Sequence, residues 1–474
     1  LTWPNIPPPK STQCQMQYYN DQDIAAAGFV TNSDAATHLT LLTAEQLEQR
    51  LNDISAVDQA WIKRQSFAAK PGEVAFLQSG DALVGWDGND NVASLGHLPM
   101  RLPEGDYQLS HPISNLQAVG WGLGAYQFNR YKDVKRAPAR LMVTANLSLD
   151  DIMHKVAATQ LARDLINTPS QDMAPSHLEA ETHALAKRFG AALTVTVGEE
   201  LLDRDCGAIH AVGRAATDAP RLMDLTWGDE QHPRITVIGK GVTFDSGGLN
   251  IKPGAGMRLM KKDMGGAAIA MGLSYLIMAQ NLPVRLRLLL PAAENAIAGN
   301  AFRPGDILHT HKGLTVEIDN TDAEGRLLLC DALSIASEDE PQLIIDYATL
   351  TGAARVAVGT EIAAMFCNDK ALANQISDSG DLVDDAVWPL PLHSGYNHML
   401  SSKVADLVNS AASGFAGAST AALFLQRFIN DKTPWLHFDV MAFNTRSRPG
   451  RPEGGEAMAL RAVYHYLEKT YGHT

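Results

Sequence analysis

Beyond residue 150, short apolar runs alternate with stretches of helical period. That alternation admits few folds other than a layered α/β domain. Residues 235–238, 284–290, 314–318, 343–348 and 435–440 read as strands, the second carrying alternating Arg285 and Arg287. Residues 264–279, 326–337, 420–428 and 456–469 read as helices, the first of them rich in small residues. Residues 150–166 set Ile152, Val156, Ala157, Leu161 and Leu165 at helical spacing and predict a helix joining two domains, stopped by Asn167-Thr168-Pro169.

The chain has 474 residues, and at roughly 100–200 residues per domain it divides into two or three. We expect an N-terminal domain over 1–149, a linking helix over 150–170 and a second, α/β domain over 171–474. The prolines of residues 1–20 block regular structure there. Residues 44–54 have helical spacing, 117–125 are glycine-rich, 140–147 read as a strand, and no catalytic constellation falls in this part. With 45% hydrophobic and 19% charged residues the composition is globular. A formal charge of −14 opposes nucleic-acid binding, which needs Lys and Arg to displace counterions. Cys14, Cys206, Cys330 and Cys367 are scattered, without a CxxC pair, and read as free thiols of a reducing compartment. Residues Leu1 to Lys10 lack a signal pattern, and no apolar run nears the roughly 20 residues of a membrane span, so the cytoplasm is expected.

Two segments carry candidate chemistry. In residues 238–248, Lys240 and Asp245 sit on what reads as a glycine-rich turn at a strand's C-terminal end, where open α/β sheets bind ligands; Lys252 and Asp263 follow. A tight turn with solvated charges fits the segment equally well, and the GxxxxGK[ST] spacing of a phosphate loop is missing. In residues 320–326, Asp322 and Glu324 share a face if the backbone is extended. Alone, this segment fits a capping box better, with Thr321 and Glu324 in S/T-x-x-E spacing. Together, three aspartates, a glutamate and a lysine form an oxygen-rich ligand set for Mn2+, Mg2+ or Zn2+ rather than Cu(I). Lys240 ligates only after losing its proton. The residue types reach as far as a dinuclear hydrolase among other readings. His309, His311, His393 and His398 lack HExxH spacing and read as ordinary surface or core histidines.

Four motifs, in this order, resemble the leucyl aminopeptidase (cytosol aminopeptidase) family: Lys240-Gly-Val-Thr-Phe-Asp245-Ser-Gly-Gly, Met260-Lys-Lys-Asp263-Met-Gly-Gly-Ala-Ala, Asn320-Thr-Asp322-Ala-Glu324-Gly-Arg326-Leu and Ala348-Thr349-Leu350-Thr351-Gly352-Ala353. Asn300-Ala-Phe-Arg-Pro-Gly-Asp306 is similar to its bacterial peptidase B branch. The resemblance covers about residues 150–474. It implies a smaller N-terminal α/β domain and a larger C-terminal α/β catalytic domain with a mixed sheet between helices. It further implies two divalent ions per subunit, Mn2+ or Zn2+ with Mg2+ as a further candidate. Lys240, Asp245, Asp263 and Glu324 would hold the tighter ion; Asp245, Asp322 and Glu324 would hold the exchangeable one. A hydroxide shared by the two ions would attack the first peptide bond of a peptide with a free N-terminus. Lys252 would stabilise the oxyanion and Arg326 would hold a bicarbonate as general base. Leu350 would offer backbone contacts to substrate, and Met260, Thr349 and Gly352 would line the first side-chain pocket. Met441 stands where many relatives have a smaller residue, so it is expected to narrow or reshape that pocket, leaving a preference for leucine open. The resemblance also implies a homohexamer built as a dimer of trimers. A DNA-binding regulator and a catalytically silent subunit are the competing readings; the acidic charge opposes the first and the complete ligand set the second.

Overall fold

The computed structural model describes residues 23–134 and 136–472; the proline-rich start and Cys14 lie outside them. The protein has a smaller N-terminal α/β domain and a larger C-terminal one. In the first, a six-stranded sheet runs in the order Phe29–Val30, Arg140–Met142, Asp106–Leu109, Thr37–Leu42, Ala82–Gly85, Val74–Phe76, parallel except for the last pair. Helix Ala44–Asn52 starts at the Thr43 capping box. The glycine-rich stretch is itself a helix, Asn115–Gly124, started by the Ser114 capping box. Its Gly120 is needed for contact rather than for a turn, since a Cβ there would stand 2.2 Å from the Val92 carbonyl oxygen. The strand expected over 140–147 stops at Met142.

Helix Leu149–Asn167 joins the two parts. It buries Ile152, Met153 and Val156 in the N-terminal core and Leu161, Leu165 and Ile166 in the C-terminal one, so buried apolar residues recur along its whole length. Tucked between Asn115–Gly124 and Gly265–Ala279, it belongs to both cores.

The C-terminal sheet has nine strands and mixed direction. Its order is Val387–Pro389, Ala363–Cys367, Trp435–Asp439, Leu343–Ala348, Arg234–Gly239, Arg285–Asn295, Arg221–Trp227, Ala192–Val197, with Gly241–Asp245 beside the far half of Arg285–Asn295. Trp435–Asp439, Leu343–Ala348 and Arg234–Gly239 are neighbours and mutually parallel. Apolar clusters cover both faces. The strand expected over 314–318 forms as Thr315–Glu317 in a separate three-stranded sheet. The helix expected from 456 begins at Leu460, and that expected over 420–428 is Gly417–Gln426.

One difference matters for the site. The expected turn after residue 239 is instead a second strand, Gly241–Asp245, and Lys240 is the single residue between the two. Its N–H bonds to the Tyr347 oxygen at 3.0 Å and its carbonyl accepts from Ala267 N at 2.9 Å. The helix Gly265–Ala279, buried up to Met278, can come this close because residue 266 lacks a side chain: a Cβ there would lie 2.1 Å from the Tyr347 oxygen. Gly266→Ala is therefore expected to cost about 1–3 kcal/mol by overpacking. A lowered midpoint in thermal unfolding would be the signature.

Candidate active site

The three parallel strand ends converge beside the site. Lys240 follows the first, Thr349 the second, and Asp439 ends the third. Asp245 ends Gly241–Asp245, Asp263 lies in the 3-10 turn Met260–Met264, and Asp322 and Glu324 precede helix Gly325–Glu338. Lys240, Asp245, Asp263, Asp322 and Glu324 line one cavity of about 450 Å3 together with Lys252, Arg326, Met260, Thr349, Leu350 and Gly352. Met441 does not line it; its side chain packs into the apolar core on one face of the sheet. None of the four histidines considered above lines it either.

Two lysines bridge the carboxylates. Lys240 Nζ lies 2.6 Å from Asp263 Oδ2 and 2.9 Å from Glu324 Oε1. Lys252 Nζ lies 2.8 Å from Asp245 Oδ2 and 2.5 Å from Asp322 Oδ1. Asp245 Oδ1 accepts from Gly247 N at 2.8 Å and Asn295 Nδ2 at 2.9 Å, and Asp263 Oδ1 from Thr349 Oγ1 at 2.7 Å. Glu324 Oε2 is buried without a hydrogen-bond partner. Oxygens of Asp245, Asp322 and Glu324 lie within 4.8 Å of one another.

Four carboxyl groups thus share two ammonium groups, and they cannot all ionise cheaply. Glu324 yields most: burial, then the Asp245 charge, pushes its carboxyl up to about 8. Burial and Asp245 raise Asp322 as well. Burial opposes the charge on Asp263, but Lys240 and Lys262 outweigh it and hold that carboxyl below its ordinary range. Lys240 and Lys252 are likewise penalised by burial, yet the surrounding carboxylates hold both above the usual lysine value.

The capping box expected at Thr321 and Glu324 does not form. Thr321 Oγ1 donates to the Gly247 oxygen at 2.7 Å and receives Asn250 N at 2.9 Å, clamping two loops. Glu324 occupies the N-cap position without a side-chain cap bond and turns its carboxylate to Lys240. Arg326 donates from NH1 to the Asn409 oxygen at 2.7 Å, while its buried Nε has no partner. Burial lowers this guanidinium to about 10.

Sequence reasoning missed Lys262 and Arg355. Both line the cavity, and neither Lys262 Nζ nor Arg355 NH1 has a hydrogen-bond partner. Burial drops Lys262 to about 7. The available signal was a lysine next to Asp263 inside a stretch too small-residue-rich to be a surface.

An oxygen-rich acidic cavity at the strand ends of an α/β sheet defines the class, a metal-dependent hydrolase. The model of the cytosol aminopeptidase family's catalytic domain matches residues 160–464, and that of the M17 aminopeptidase N-terminal domain matches 37–144. A probable cytosol aminopeptidase of Nitratidesulfovibrio vulgaris is 41% identical over 367 residues, 73% of this chain and 72% of that one. The crystal structure of cytosol aminopeptidase from Coxiella burnetii superposes with a TM-score of 0.89 at 44% identity, covering 94% of this chain and 99% of that one. Bottromycin maturation enzyme BotP in complex with Mn gives 0.80 at 30% identity, covering 92% and 99%. The chain belongs to the cytosol aminopeptidase family and is a metal-dependent aminopeptidase acting on peptides.

Proposed function

We propose that this enzyme removes N-terminal residues from peptides in the cytoplasm with two divalent ions, Mn2+ or Zn2+, in each subunit of a homohexamer. Lys240, Asp245, Asp263 and Glu324 hold one ion; Asp245, Asp322 and Glu324 hold the other. The observation that carries this reading is the buried, unpartnered Glu324 Oε2 among four carboxyl groups, an excess of negative ligand atoms that divalent cations satisfy. When bound, such a pair supplies Lewis acidity, an activated water and an anchor for the free amine.

The protein's own groups do the rest. Lys252 lines the cavity and reaches two of the carboxylates, so an ammonium is available where a carbonyl oxygen gains charge. Arg326 spends NH1 on Asn409 and keeps its Nε edge for a planar anion, here bicarbonate as general base. Met260, Thr349 and Gly352 form the wall for the first side chain. Met441, absent from that wall, is left without a direct selectivity role. The Arg355 guanidinium, with Lys262 in its protonated form on the same wall, favours an acidic first residue. Lys262→Met is expected to lower kcat/KM for Glu-headed substrates about tenfold relative to Leu-headed ones. Ranking Leu-, Met-, Ala-, Arg- and Glu-headed substrates in both proteins checks it; an unchanged Glu-to-Leu ratio refutes it.

Metal analysis beside hydrolysis of aminoacyl substrates tests the main reading. Chelator should abolish activity, and Mn2+ or Zn2+ should restore it; full activity in metal-free protein would sink it. A monomer in light scattering would contradict the hexamer.

A further inference from the structure

Asp439 lies outside the expected site and does not line the cavity, yet it governs one wall. It ends strand Trp435–Asp439 and is 2% exposed. Its carboxylate takes hydrogen bonds from one loop alone: Leu350 N at 3.0 Å, Thr351 N at 3.0 and 3.1 Å, and Thr351 Oγ1 at 2.5 Å. That loop lines the cavity from Thr349 to Ala353. Its other end is fixed by Thr349 Oγ1, which bonds Asp263 Oδ1.

The consequence follows from the geometry of the peptide unit. In a trans peptide the C=O and the following N–H point opposite ways. The Thr351 N–H points at Asp439, so the Leu350 C=O points away from it, and Leu350 lines the cavity. The Leu350 N–H is already consumed by Asp439, so the backbone contact Leu350 can offer a substrate is its carbonyl oxygen. In a peptide whose amine is on the ions, whose carbonyl oxygen faces Lys252 and whose first side chain meets the Met260 wall, one polar group near the reaction is left. That group is the N–H of the bond to be cut.

We propose that Asp439 is a positioning residue: by taking the Leu350 and Thr351 N–H groups, it aims the Leu350 carbonyl to accept the scissile N–H. The inference rests on the aminopeptidase reading. Asp439 never touches substrate; its removal lets the loop turn and loses an orienting bond made only by amides.

The test compares wild type with Asp439→Asn on a matched pair, Leu-Gly and its depsipeptide leucyl-glycolate, which has an ester oxygen in place of the N–H. Both proteins are loaded with Mn2+ and matched for metal content and thermal midpoint. Asn keeps the size but offers a single acceptor oxygen to three donors. The expected result is a loss of about 10- to 100-fold in kcat/KM on the amide, with the ester within about threefold of wild type. Equal losses on both substrates would reduce Asp439 to a general structural role, and no loss on the amide would remove it altogether; either overturns the proposal. If the Asn protein does not reach wild-type metal content, Asp439→Ser is judged by the same ratio. Failure of the aminopeptidase reading looks different, because wild type loaded with metal would then cleave neither substrate.

Discussion

Glutamine in place of Glu324 is expected to lower hydrolysis by about a thousandfold or more, since even partners one shell removed from a metal cost 10- to 100-fold. The fold should survive. Glutamine has the same shape, and its amide oxygen can still accept from Lys240 Nζ, now 2.9 Å from Glu324 Oε1. The metal-free protein should be no less stable than wild type, because burial beside Asp245 already pushes the glutamate up to about 8 and favours its neutral form. Metal binding is where the two proteins part. Wild type should gain thermal stability on adding Mn2+ or Zn2+, by the usual mass action of a ligand that binds only the folded state. Glu324→Gln should gain much less, and metal analysis should find fewer than two ions per subunit. A variant that keeps both ions and loses activity would reassign Glu324 from ligand to proton carrier; one that keeps activity would remove it from the site.

The parts of the fold legible in the sequence were those whose period reports burial directly. The run 343–348 is apolar but for Asp346 and buried on every residue because helices cover both faces of its sheet, and it forms as Leu343–Ala348. Ala192–Val197 escaped notice: it is the sheet's edge strand, half-exposed, and alternates Thr with Val in a way that short polar loops also do. The site divided along a similar line. Asp245, Asp263, Asp322 and Glu324 stood out through order and spacing, but the segment 238–248 looked like a turn because glycine is also what a strand needs when a helix packs on its backbone. Asp439 left no trace, since a carboxylate closing an apolar strand is indistinguishable in sequence from a solvated end. Its meaning comes from the loop after Leu343–Ala348, a stretch 89 residues away that only the parallel pairing of the two strands brings alongside.

Metal loading should release protons, and the number released tests the ligand set. At about pH 7 the metal-free cavity holds a proton on Glu324, whose carboxyl is pushed up to about 8 by burial and by Asp245. It holds another on Lys240, where the charges of Asp263 and Glu324 outweigh burial. Ligands bind metals deprotonated, so uptake by this set expels about two protons per subunit, and an ionising bound water can only add to that. Calorimetry of Mn2+ or Zn2+ binding in two buffers of different ionisation enthalpy measures the count. Fewer than two at about pH 7 would leave Lys240 an ammonium paired to its carboxylates rather than a ligand. Repeating the titration at about pH 9, above the Glu324 transition, should lower the count by about one, and an unchanged count would remove Glu324 as the source. The sign for stability runs the same way. A glutamate whose folded value is raised stabilises the metal-free protein below its unfolded value of 4.5, and this contribution is lost as pH rises from there through about 8. Bound cations reverse the penalty by pairing with the carboxylate. The gain in thermal stability on adding metal should therefore widen from about pH 6 to about pH 8, while metal-free protein loses stability over the same interval.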